Sequence, residues 1–403
     1  MIRIRSIIAA AVAAALLGAY PAAAKVGSCD EPIVWGTTIS VTGVYSTLAD
    51  RWREMTEIFA EEVNKLGGIE VKSCGKKLPL KIVVYDDQSV ATTAVTLYEK
   101  MASVDNVDFF VGPDWSAFGG PVPPVAEKHQ IPMVAANIAA EPLFRRGLKY
   151  FWANAIPVVA NWNARYFDML SKQNPKPQSI YFVTQDNPVT KAITDVWSKK
   201  AEEMGMKLLG SESFSAQLKD FTPLVLKMRA AKPDIIYLSS FDSPAGPILQ
   251  QMRQLKVKAM DVHVSILSGT LRRQIGKDIE GVSGVLPWYP GIKGGDYVEF
   301  SERVLNRSKI DMFDYPYTMG RIGAYLIMWQ AIEKAGAVDR EKVREALFKG
   351  SFKSPIGDIV YDEGGYAYKN GAFPLQMQDG KVVIVWPPEQ ATGKLNWPSP
   401  AWQ

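Results

Sequence analysis

The chain alternates short apolar runs with segments of helical period, and this alternation occurs twice in succession. Such a pattern is typical of parallel sheets whose strands are connected by helices on their faces. The sequence therefore predicts an α/β protein with two doubly wound parallel sheets, one in each half. The predicted strands are 33–39, 80–85, 107–111 and 131–135 in the first half, and 179–183, 207–209, 234–239 and 262–266 in the second.

The last third of the chain breaks this alternation. Three helical patterns are followed by a glycine turn and hairpin-like strands; the helices are predicted at 297–306, 318–335 and 340–348, and the strands at 358–361, 373–377 and 382–386. A mixed segment after two α/β halves predicts that the chain recrosses between two lobes. The end of the chain, from Trp386 to Gln403, is rich in Pro and Trp, and we expect an extended surface tail there.

The N-terminal segment has the three parts of a secretory signal. Arg3 and Arg5 precede an apolar run from Ile7 to Leu17, and small residues at 22–24 follow it. The run is shorter than the roughly 20 residues that span a bilayer. We therefore expect 1–24 to be a signal peptide cleaved after Ala24, which would place the mature chain in the periplasm.

Cys29 and Cys74 are the only two cysteines. Two cysteines in an exported protein indicate one disulfide, which we predict here. The alternative is a lipoprotein, because residues 26–29 (VGSC) loosely resemble a lipidation box in which Cys29 would carry the lipid. Lys25 separates this box from the apolar run, and lipidation would leave Cys74 as a lone thiol.

Several classes of function lack the residues that they need. Lys and Arg are scattered among carboxylates, so the sequence indicates no nucleic-acid partner. His129 and His263 are the only histidines, and we find no nucleophile elbow, phosphate-binding loop or metal-ligand cluster. We therefore expect no cofactor, no metal and no catalytic residue. An enzyme is the rival interpretation, because doubly wound sheets often carry active sites.

A set of short motifs occurs along the whole mature chain. They are 40–43 (SVTG), 64–69 (NKLGGI), 85–87 (YDD), 111–113 (VGP), 131–134 (IPMV), 219–224 (KDFTPL) and 356–364 (IGDIVYDEG). In this order and spacing the sequence resembles the periplasmic leucine/isoleucine/valine-binding family, the substrate-binding proteins of branched-chain amino acid ABC importers.

The resemblance implies the type I periplasmic-binding-protein fold, with two lobes joined by three crossover strands. These strands would lie near 153–157, 286–290 and 361–366. Lobe one would comprise 25–153 plus 288–361, and lobe two 154–287 plus 362–403. The resemblance also implies a small ligand in the cleft, delivered by a monomer to membrane permease subunits. A ligand-sensing receptor that docks on a signalling protein stays open as the alternative.

The resemblance also places the binding site. The ligand carboxylate would lie at Ser116, in the loop after the third strand, where a helix N-terminus would add backbone N–H donors. An aromatic ring from lobe two would cover the ligand. The predicted ligand-binding residues are Tyr45, Trp115, Ser116, Asn137, Ala139, Phe241 and Ser265.

Two of these positions depart from the family pattern. The family has a Thr where this chain has Ala139, and a Glu for the ligand's ammonium where this chain has Ser265. Asp114 and Asp242 are the candidate substitutes for that carboxylate. The carboxylate end of the site is therefore retained while the ammonium end differs. We predict a small carboxylate with an apolar or aromatic body, with a branched-chain amino acid as the alternative.

Overall fold

The computed structural model describes residues 27–403, apart from 154–155, 157–158, 216, 294–295 and 368–370. The predicted signal peptide and its cleavage site lie outside the described residues. The described strands form two principal sheets of five and seven strands, with helices between successive strands. The prediction of two doubly wound α/β lobes is confirmed.

The first sheet contains five parallel strands. The elements up to its last strand are β1 (Ile33–Ile39), α1 (Ser46–Ala49), α2 (Trp52–Lys65), β2 (Ile69–Val71), β3 (Lys76–Leu78), β4 (Leu80–Asp86), α3 (Ala91–Ser103), β5 (Phe109–Val111), α4 (Pro123–His129), β6 (Met133–Val134) and β7 (Phe151–Trp152). The strand order is β4-β1-β5-β6-β7. Strand β1 lies between β4 and β5 and pairs with β4 along its whole length, from Ile33 opposite Leu80 to Ile39 opposite Asp86. Parallel strands buried on both faces read as continuous apolar runs, which is why β1 was predictable.

The second sheet contains seven strands in the order β16-β15-β12-β11-β10-β8-β9. Its elements are α5 (Val159–Trp162), α6 (Ala164–Ser171), β8 (Ser179–Gln185), α7 (Pro188–Glu203), β9 (Lys207–Phe214), α8 (Thr222–Ala231), β10 (Ile235–Ser239), α9 (Asp242–Gln254), β11 (Asp261–Val264), α10 (Gly269–Ile275), β12 (Val282–Leu286), β15 (Phe373–Gln378) and β16 (Lys381–Ile384). The last two strands pair antiparallel at one edge of the otherwise parallel sheet.

The segment between β12 and β15 returns to the first sheet. It contains α11 (Val298–Arg307), α12 (Thr318–Ala335), α13 (Arg340–Lys349), β13 (Ser351–Phe352) and β14 (Ile359–Val360). Helix α12 is buried from Thr318 to Ile332, as expected of a helix that is apolar on every side. The Trp52 indole N–H donates to Thr318 Oγ1 (2.9 Å), which joins α12 to α2. No helix among the described residues is long and apolar enough to cross a membrane.

The chain passes between the two sheets three times, after β7, after β12 and after β14. The first and third passages lie side by side. The Ala153 N–H donates to the Gly365 carbonyl oxygen (2.8 Å), and the Tyr361 hydroxyl donates to the Ala153 carbonyl oxygen (2.6 Å). Paired extended segments between two rigid bodies are suited to act as a hinge. The predicted lobe boundaries fall in these passages and stay a prediction.

A disulfide joins Cys29 to Cys74, whose Cα atoms are 5.5 Å apart across 45 residues. Cys29 precedes β1, and Cys74 ends a 3-10 turn (Lys72–Cys74) that precedes β3 and β4. Because β1 and β4 are neighbours in the first sheet, the segments that enter them lie close together. The disulfide predicted from the sequence is present in the structure.

The C-terminal segment is not the extended surface tail that the sequence predicted. It ends in a 3-10 turn (Pro400–Trp402) whose Trp402 is 1% exposed. The Arg253 guanidinium lies 3.4 Å from the centre of the Trp402 ring, and the Ala259 N–H donates to the Trp402 carbonyl oxygen (3.0 Å). The segment is therefore docked on lobe two. A Pro- and Trp-rich composition does not distinguish a free tail from one whose rings fill a groove.

Candidate ligand-binding site

The loops that follow the parallel strands gather at the carboxyl edge of each sheet, where doubly wound proteins bind ligands. All the residues predicted from the sequence lie in such loops. Tyr45 follows β1, Trp115 and Ser116 follow β5, Asn137 and Ala139 follow β6, Phe241 follows β10 and Ser265 follows β11. Their roles as ligand contacts stay a prediction, but all of them follow strands at the carboxyl edges of the two sheets.

The loop after β5 has an unusual backbone. Gly112 has a φ of 117°, and a Cβ at this position would overlap the Tyr98 hydroxyl, so glycine is required. Trp115 has a φ of 58°, a left-handed conformation that costs a bulky residue about 1–2 kcal/mol. Such strain persists only where the surroundings enforce it, and it concentrates at binding sites.

Ser116 does not begin a helix, which corrects the expectation drawn from the sequence. Turns continue through Val122, and α4 begins at Pro123. The Phe118 N–H donates to the Trp115 carbonyl oxygen (3.0 Å), which closes the first of these turns. Any backbone donors that Ser116 adds to an anion site are therefore those of a turn and carry no helix dipole.

Five aromatic side chains pack together in and around the loop after β5. We call them the aromatic cluster: Tyr45, Trp52, Trp115, Phe118 and Tyr317. Trp115 is at its centre, with the Tyr45 ring stacked at 4.6 Å, the Trp52 ring stacked at 5.7 Å and the Tyr317 ring edge-on at 5.9 Å. Trp115 is buried, whereas Tyr45 is half-buried. The cluster therefore forms an apolar wall at the carboxyl edge of the first sheet.

Hydrogen bonds hold Trp115 against the neighbouring loops. Its indole N–H donates to Ser40 Oγ (3.0 Å), and the Ser40 hydroxyl donates to Asp87 Oδ1 (2.6 Å). Asp87 also accepts from the Ser89 N–H (3.0 Å), and Ser89 Oγ accepts from the Tyr45 N–H (3.0 Å). The loops after β1, β4 and β5 are thereby joined into one unit, which keeps the strained Trp115 in place.

Ser116 and Ala139 connect the loops after β5 and β6. The Ala139 N–H donates to Ser116 Oγ over 3.3 Å, which is longer than the usual 2.9–3.0 Å for such a bond. Both residues are half-buried. Asn137 differs, since its side chain is buried and its amide nitrogen donates to Asp114 Oδ1 (2.7 Å). Of the two predicted serines, Ser116 is half-buried and Ser265 is buried, so Ser116 has the more accessible side chain.

A buried guanidinium that the sequence analysis missed lies beneath these loops. Arg321 of α12 has a side chain 0% exposed and is ion-paired with Asp114, which is 1% exposed. Its Nη2 donates to Asp114 Oδ2 and to the Thr38 carbonyl oxygen (2.8 Å), while its Nη1 donates to Thr37 Oγ1 (3.1 Å) and Tyr325 Oη (2.8 Å). The available signal was a single Arg in an otherwise apolar helical run, since a buried Arg must be paired.

Both carboxylate oxygens of Asp114 are occupied, one by Arg321 and the other by Asn137. Burial raises the pKa of Asp114, and the charge of Arg321 and the hydrogen bonds from Asn137 and Arg321 oppose that rise. Asp114 is therefore not a free partner for a ligand ammonium, which removes one of the two substitutes considered from the sequence.

The loops of the second sheet carry Phe241, Asp242 and Ser265. Phe241 is 43% exposed, so its ring is available to a ligand. The Ser265 hydroxyl donates to the Leu238 carbonyl oxygen (3.3 Å) and is directed toward β10. Asp242 Oδ2 accepts from the Ser268 hydroxyl (2.6 Å). Burial raises the pKa of Asp242, while Ser268 and the charge of Arg273 oppose the rise. Asp242 is the remaining candidate partner for a cation.

Contacts at the segment before α12 join the two halves of the site. The Gly269 N–H at the start of α10 donates to the Phe313 carbonyl oxygen (2.7 Å), and Arg273 is ion-paired with Asp314. Tyr317 packs against Trp115, and the charge of Asp242 adds to burial in raising the pKa of Tyr317. The aromatic cluster of lobe one therefore lies within electrostatic range of Asp242 in lobe two.

The two histidines take no part in this site. His129 is paired with Glu99 (2.7 Å). His263 is buried in lobe two, where its Nδ1 lies 2.9 Å from Ser283 Oγ, and the Ser283 hydroxyl donates to Asp261 Oδ2 (2.5 Å). A catalytic triad has the imidazole between the hydroxyl and the carboxylate, whereas here the hydroxyl lies between the other two. All three side chains are buried, so a substrate does not reach them.

Among the described residues, no group of three or more His, Cys, Asp or Glu side chains is arranged to hold a metal ion.

Two α/β lobes joined by three passages, with the loops after the parallel strands at one edge of each sheet, define the class of two-lobed solute-binding proteins. The sequence profile of the family described as periplasmic binding protein matches residues 32–381. The chain belongs to this family.

Individual relatives agree with this assignment. The leucine-, isoleucine-, valine-, threonine-, and alanine-binding protein of Pseudomonas aeruginosa is 25% identical over 333 residues, which cover 81% of this chain and 84% of that protein. The branched-chain amino acid transporter substrate binding protein LivJ from Streptococcus pneumoniae, solved in complex with isoleucine, has a TM-score of 0.72 at 17% identity, covering 89% of this chain and 100% of that one.

An ABC transporter solute binding protein from R. palustris, solved in complex with benzoate, has a TM-score of 0.68 at 16% identity and covers 90% of this chain and 98% of that one. At these identities the solved structures establish the fold alone. The solved proteins from Streptococcus pneumoniae and R. palustris are named as transporter binding proteins. This chain is a binding protein of the family whose profile it matches and not an enzyme.

Proposed function

We propose that this chain is the exported substrate-binding protein of an ABC importer and that it captures a small carboxylate with an apolar or aromatic body. Ligand capture closes the two lobes, and the closed form delivers the ligand to the permease subunits in the membrane. The solved structures named as transporter substrate-binding and solute-binding proteins support this partner. A signalling receptor would be the partner instead if no permease recognised the closed form.

The proposed ligand class rests on Asp114, whose two carboxylate oxygens already accept hydrogen bonds from Arg321 and Asn137. Its charge is matched by Arg321 and its oxygens are taken, so an anion at Ser116 meets no uncompensated carboxylate. A buried ammonium needs an acceptor or a counter-charge, because leaving it unpaired costs several kcal/mol. Ala139 has no side-chain acceptor, and the Ser265 hydroxyl is directed toward Leu238. These contacts favour a ligand without an ammonium group.

The aromatic cluster supports an apolar or aromatic ligand body. Tyr45 is half-buried against Trp115, and Phe241 of lobe two is 43% exposed. Rings of this kind add about 0.5–1.5 kcal/mol per aromatic pair beyond the area that they bury. The benzoate complex of the R. palustris relative supports an aromatic acid as one such ligand.

A branched-chain amino acid is the second candidate, and Asp242 is the observation that favours it. This carboxylate accepts from Ser268, while the nearby Arg273 is itself paired with Asp314. A ligand ammonium would supply the missing counter-charge when the cleft closes. The relatives named for leucine, isoleucine and valine support this alternative.

Calorimetry with matched ligands separates the two candidates. Leucine and 4-methylpentanoate differ only in the ammonium group, and benzoate adds an aromatic carboxylate. The mature protein would first be unfolded and refolded to remove any copurified ligand. We expect 4-methylpentanoate or benzoate to bind at least about 100-fold more tightly than leucine. This factor corresponds to about 2.7 kcal/mol, which is within the several kcal/mol that an unpaired buried ammonium group costs.

The opposite order, with leucine bound more tightly than 4-methylpentanoate, would contradict the preferred ligand class. In that case Asp242→Asn should weaken leucine binding and leave 4-methylpentanoate binding unchanged. If none of the three compounds binds, the proposed carboxylate site itself is wrong.

A further inference from the structure

We propose that Arg321 is a positioning residue that sets the charge preference of the binding site. It neutralises Asp114 and holds the ligand loops of the first lobe in one arrangement. This inference rests on the proposed function, specifically on Ser116 receiving the carboxylate of the ligand.

The geometry shows how one guanidinium reaches several loops. Arg321 binds the end of β1 through Thr37 and Thr38, and it binds the loop after β5 through Asp114. Asp114 in turn accepts from Asn137 (2.7 Å), which lies in the loop after β6. The loop ends that carry Ser116 and Ala139 are therefore connected through Asp114. A fixed planar set of donors is the property that distinguishes Arg from Lys in such a role.

Stability alone does not account for this network. Apolar residues of similar volume often replace a buried ion pair with no loss of stability. Arg321 Nε and Asn137 Oδ1 are also buried, and neither has a hydrogen-bond partner among the described residues. Unpartnered buried polar atoms are costly, so the network is better explained by its effect on the adjoining site.

The distance from Asp114 to the site is short enough for its charge to matter. Asp114 and Ser116 are two positions apart in the chain, so their Cα atoms are separated by at most about 7.6 Å. An uncompensated charge at about 8 Å, in an effective dielectric of about 20, changes the binding of a monovalent anion about 30-fold. Without Arg321, an ionised Asp114 would repel a carboxylate ligand by this amount.

The surroundings of Asp114 define the expected pH dependence. The other titratable groups that face it are Tyr98 of α3, Tyr325 of α12 and Asp87 after β4. Burial raises the pKa of both tyrosines, so they stay neutral up to pH 9, and Asp87 is the same in every variant below. Because burial also raises the pKa of Asp114, loss of Arg321 leaves a carboxyl that ionises as the pH rises.

The test measures the dissociation constant of benzoate or 4-methylpentanoate, whichever the intact protein binds more tightly, from pH 6 to pH 9. In Arg321→Met we expect the dissociation constant to rise with pH, by up to about 30-fold, because an ionised Asp114 without a counter-charge repels the ligand carboxylate. In Arg321→Lys, which keeps the positive charge, the profile should stay within about twofold of flat, as in the intact protein.

The double variant Asp114→Asn/Arg321→Met is the decisive control. It removes both charges, and we expect it to bind with a flat pH profile. If Arg321→Met and the double variant have the same profile, Arg321 has no electrostatic role and the inference is wrong. If the intact protein binds neither carboxylate, the proposed function has failed instead. If Arg321→Met does not fold, Arg321→Gln, which also removes the positive charge, takes its place in the comparison with the double variant.

Discussion

Replacing Ser116 by Ala tests the predicted carboxylate subsite directly. The hydroxyl of Ser116 accepts from the Ala139 N–H over 3.3 Å at a half-buried position. This single long bond contributes little to the fold, because water can replace it at the exposed side. We therefore expect the variant to lose less than about 1 kcal/mol of unfolding free energy.

The expected effect on binding is larger than the effect on stability. A hydrogen bond to a charged group contributes about 1.5–3 kcal/mol, which corresponds to an increase of about 10-fold to 150-fold in the dissociation constant of the carboxylate ligand. The loss arises because the ligand carboxylate leaves water and finds no hydroxyl donor in the closed cleft. The aromatic cluster is unchanged, so the apolar part of the binding energy should persist.

Calorimetry on Ser116→Ala and on Ser103→Ala gives the comparison. Ser103 is an exposed serine at the end of α3, and its hydroxyl donates to the Glu99 carbonyl oxygen (2.7 Å). Since α3 ends at the amino edge of the sheet, opposite the site, Ser103→Ala should bind as the intact protein does. A change below about twofold in Ser116→Ala, or an equal change in both variants, would refute the assignment of the subsite.

Three further predictions concern stability. Reducing the Cys29–Cys74 disulfide, which spans 45 residues, should cost roughly 4 kcal/mol on the chain-entropy account; two titratable thiols in the unreduced, denatured protein would contradict the pairing. Trp402→Ala should cost about 3–5 kcal/mol in urea denaturation, and the half-buried Trp397→Ala clearly less; equal costs would mean that the C-terminal turn is not anchored by the Trp402 ring. Burial raises the pKa of Asp261 to about 6 in the folded protein, above its value of about 4 in the unfolded chain. The protonated carboxyl therefore contributes its full stability below about pH 4, and this contribution is lost as the pH rises through about 6. The unfolding free energy of the intact protein, relative to that of Asp261→Asn, should therefore fall by about 1–2 kcal/mol from pH 5 to pH 8. A constant difference would contradict the claim that Asp261 is buried and protonated in the folded protein at pH 5.

The order of the elements was largely predictable because buried parallel strands leave a strong apolar signal. The strand at 33–39 was predicted with the bounds that it has. The strand β9 extends to Phe214, well past the predicted 207–209. The prediction ended too early because the continuation from Gly210 lies at the sheet edge and is mostly polar, so it leaves no apolar signal. The strands at 107–111 and 131–135 are shorter than predicted, at Phe109–Val111 and Met133–Val134.

The site could be placed from the sequence only at the level of loops. The positions of Tyr45, Ser116 and Phe241 follow from the strand that precedes each. The pairing of Asp114 with Arg321 joins residues 207 positions apart, and no local pattern encodes such a contact. The same holds for the C-terminal ring of Trp402, whose burial depends on a groove formed by other elements.

Closure of the two lobes around a carboxylate is the central claim, and small-angle scattering tests it most directly. The radius of gyration of the mature protein would be measured alone and with saturating benzoate or 4-methylpentanoate, whichever binds in calorimetry. Ser116→Ala at the same ligand concentration, chosen to leave it mostly unbound, is the control. We predict a smaller radius of gyration for the intact protein with ligand and no change for the variant. An unchanged radius in the intact protein, at a concentration where calorimetry shows it saturated, would contradict capture between closing lobes.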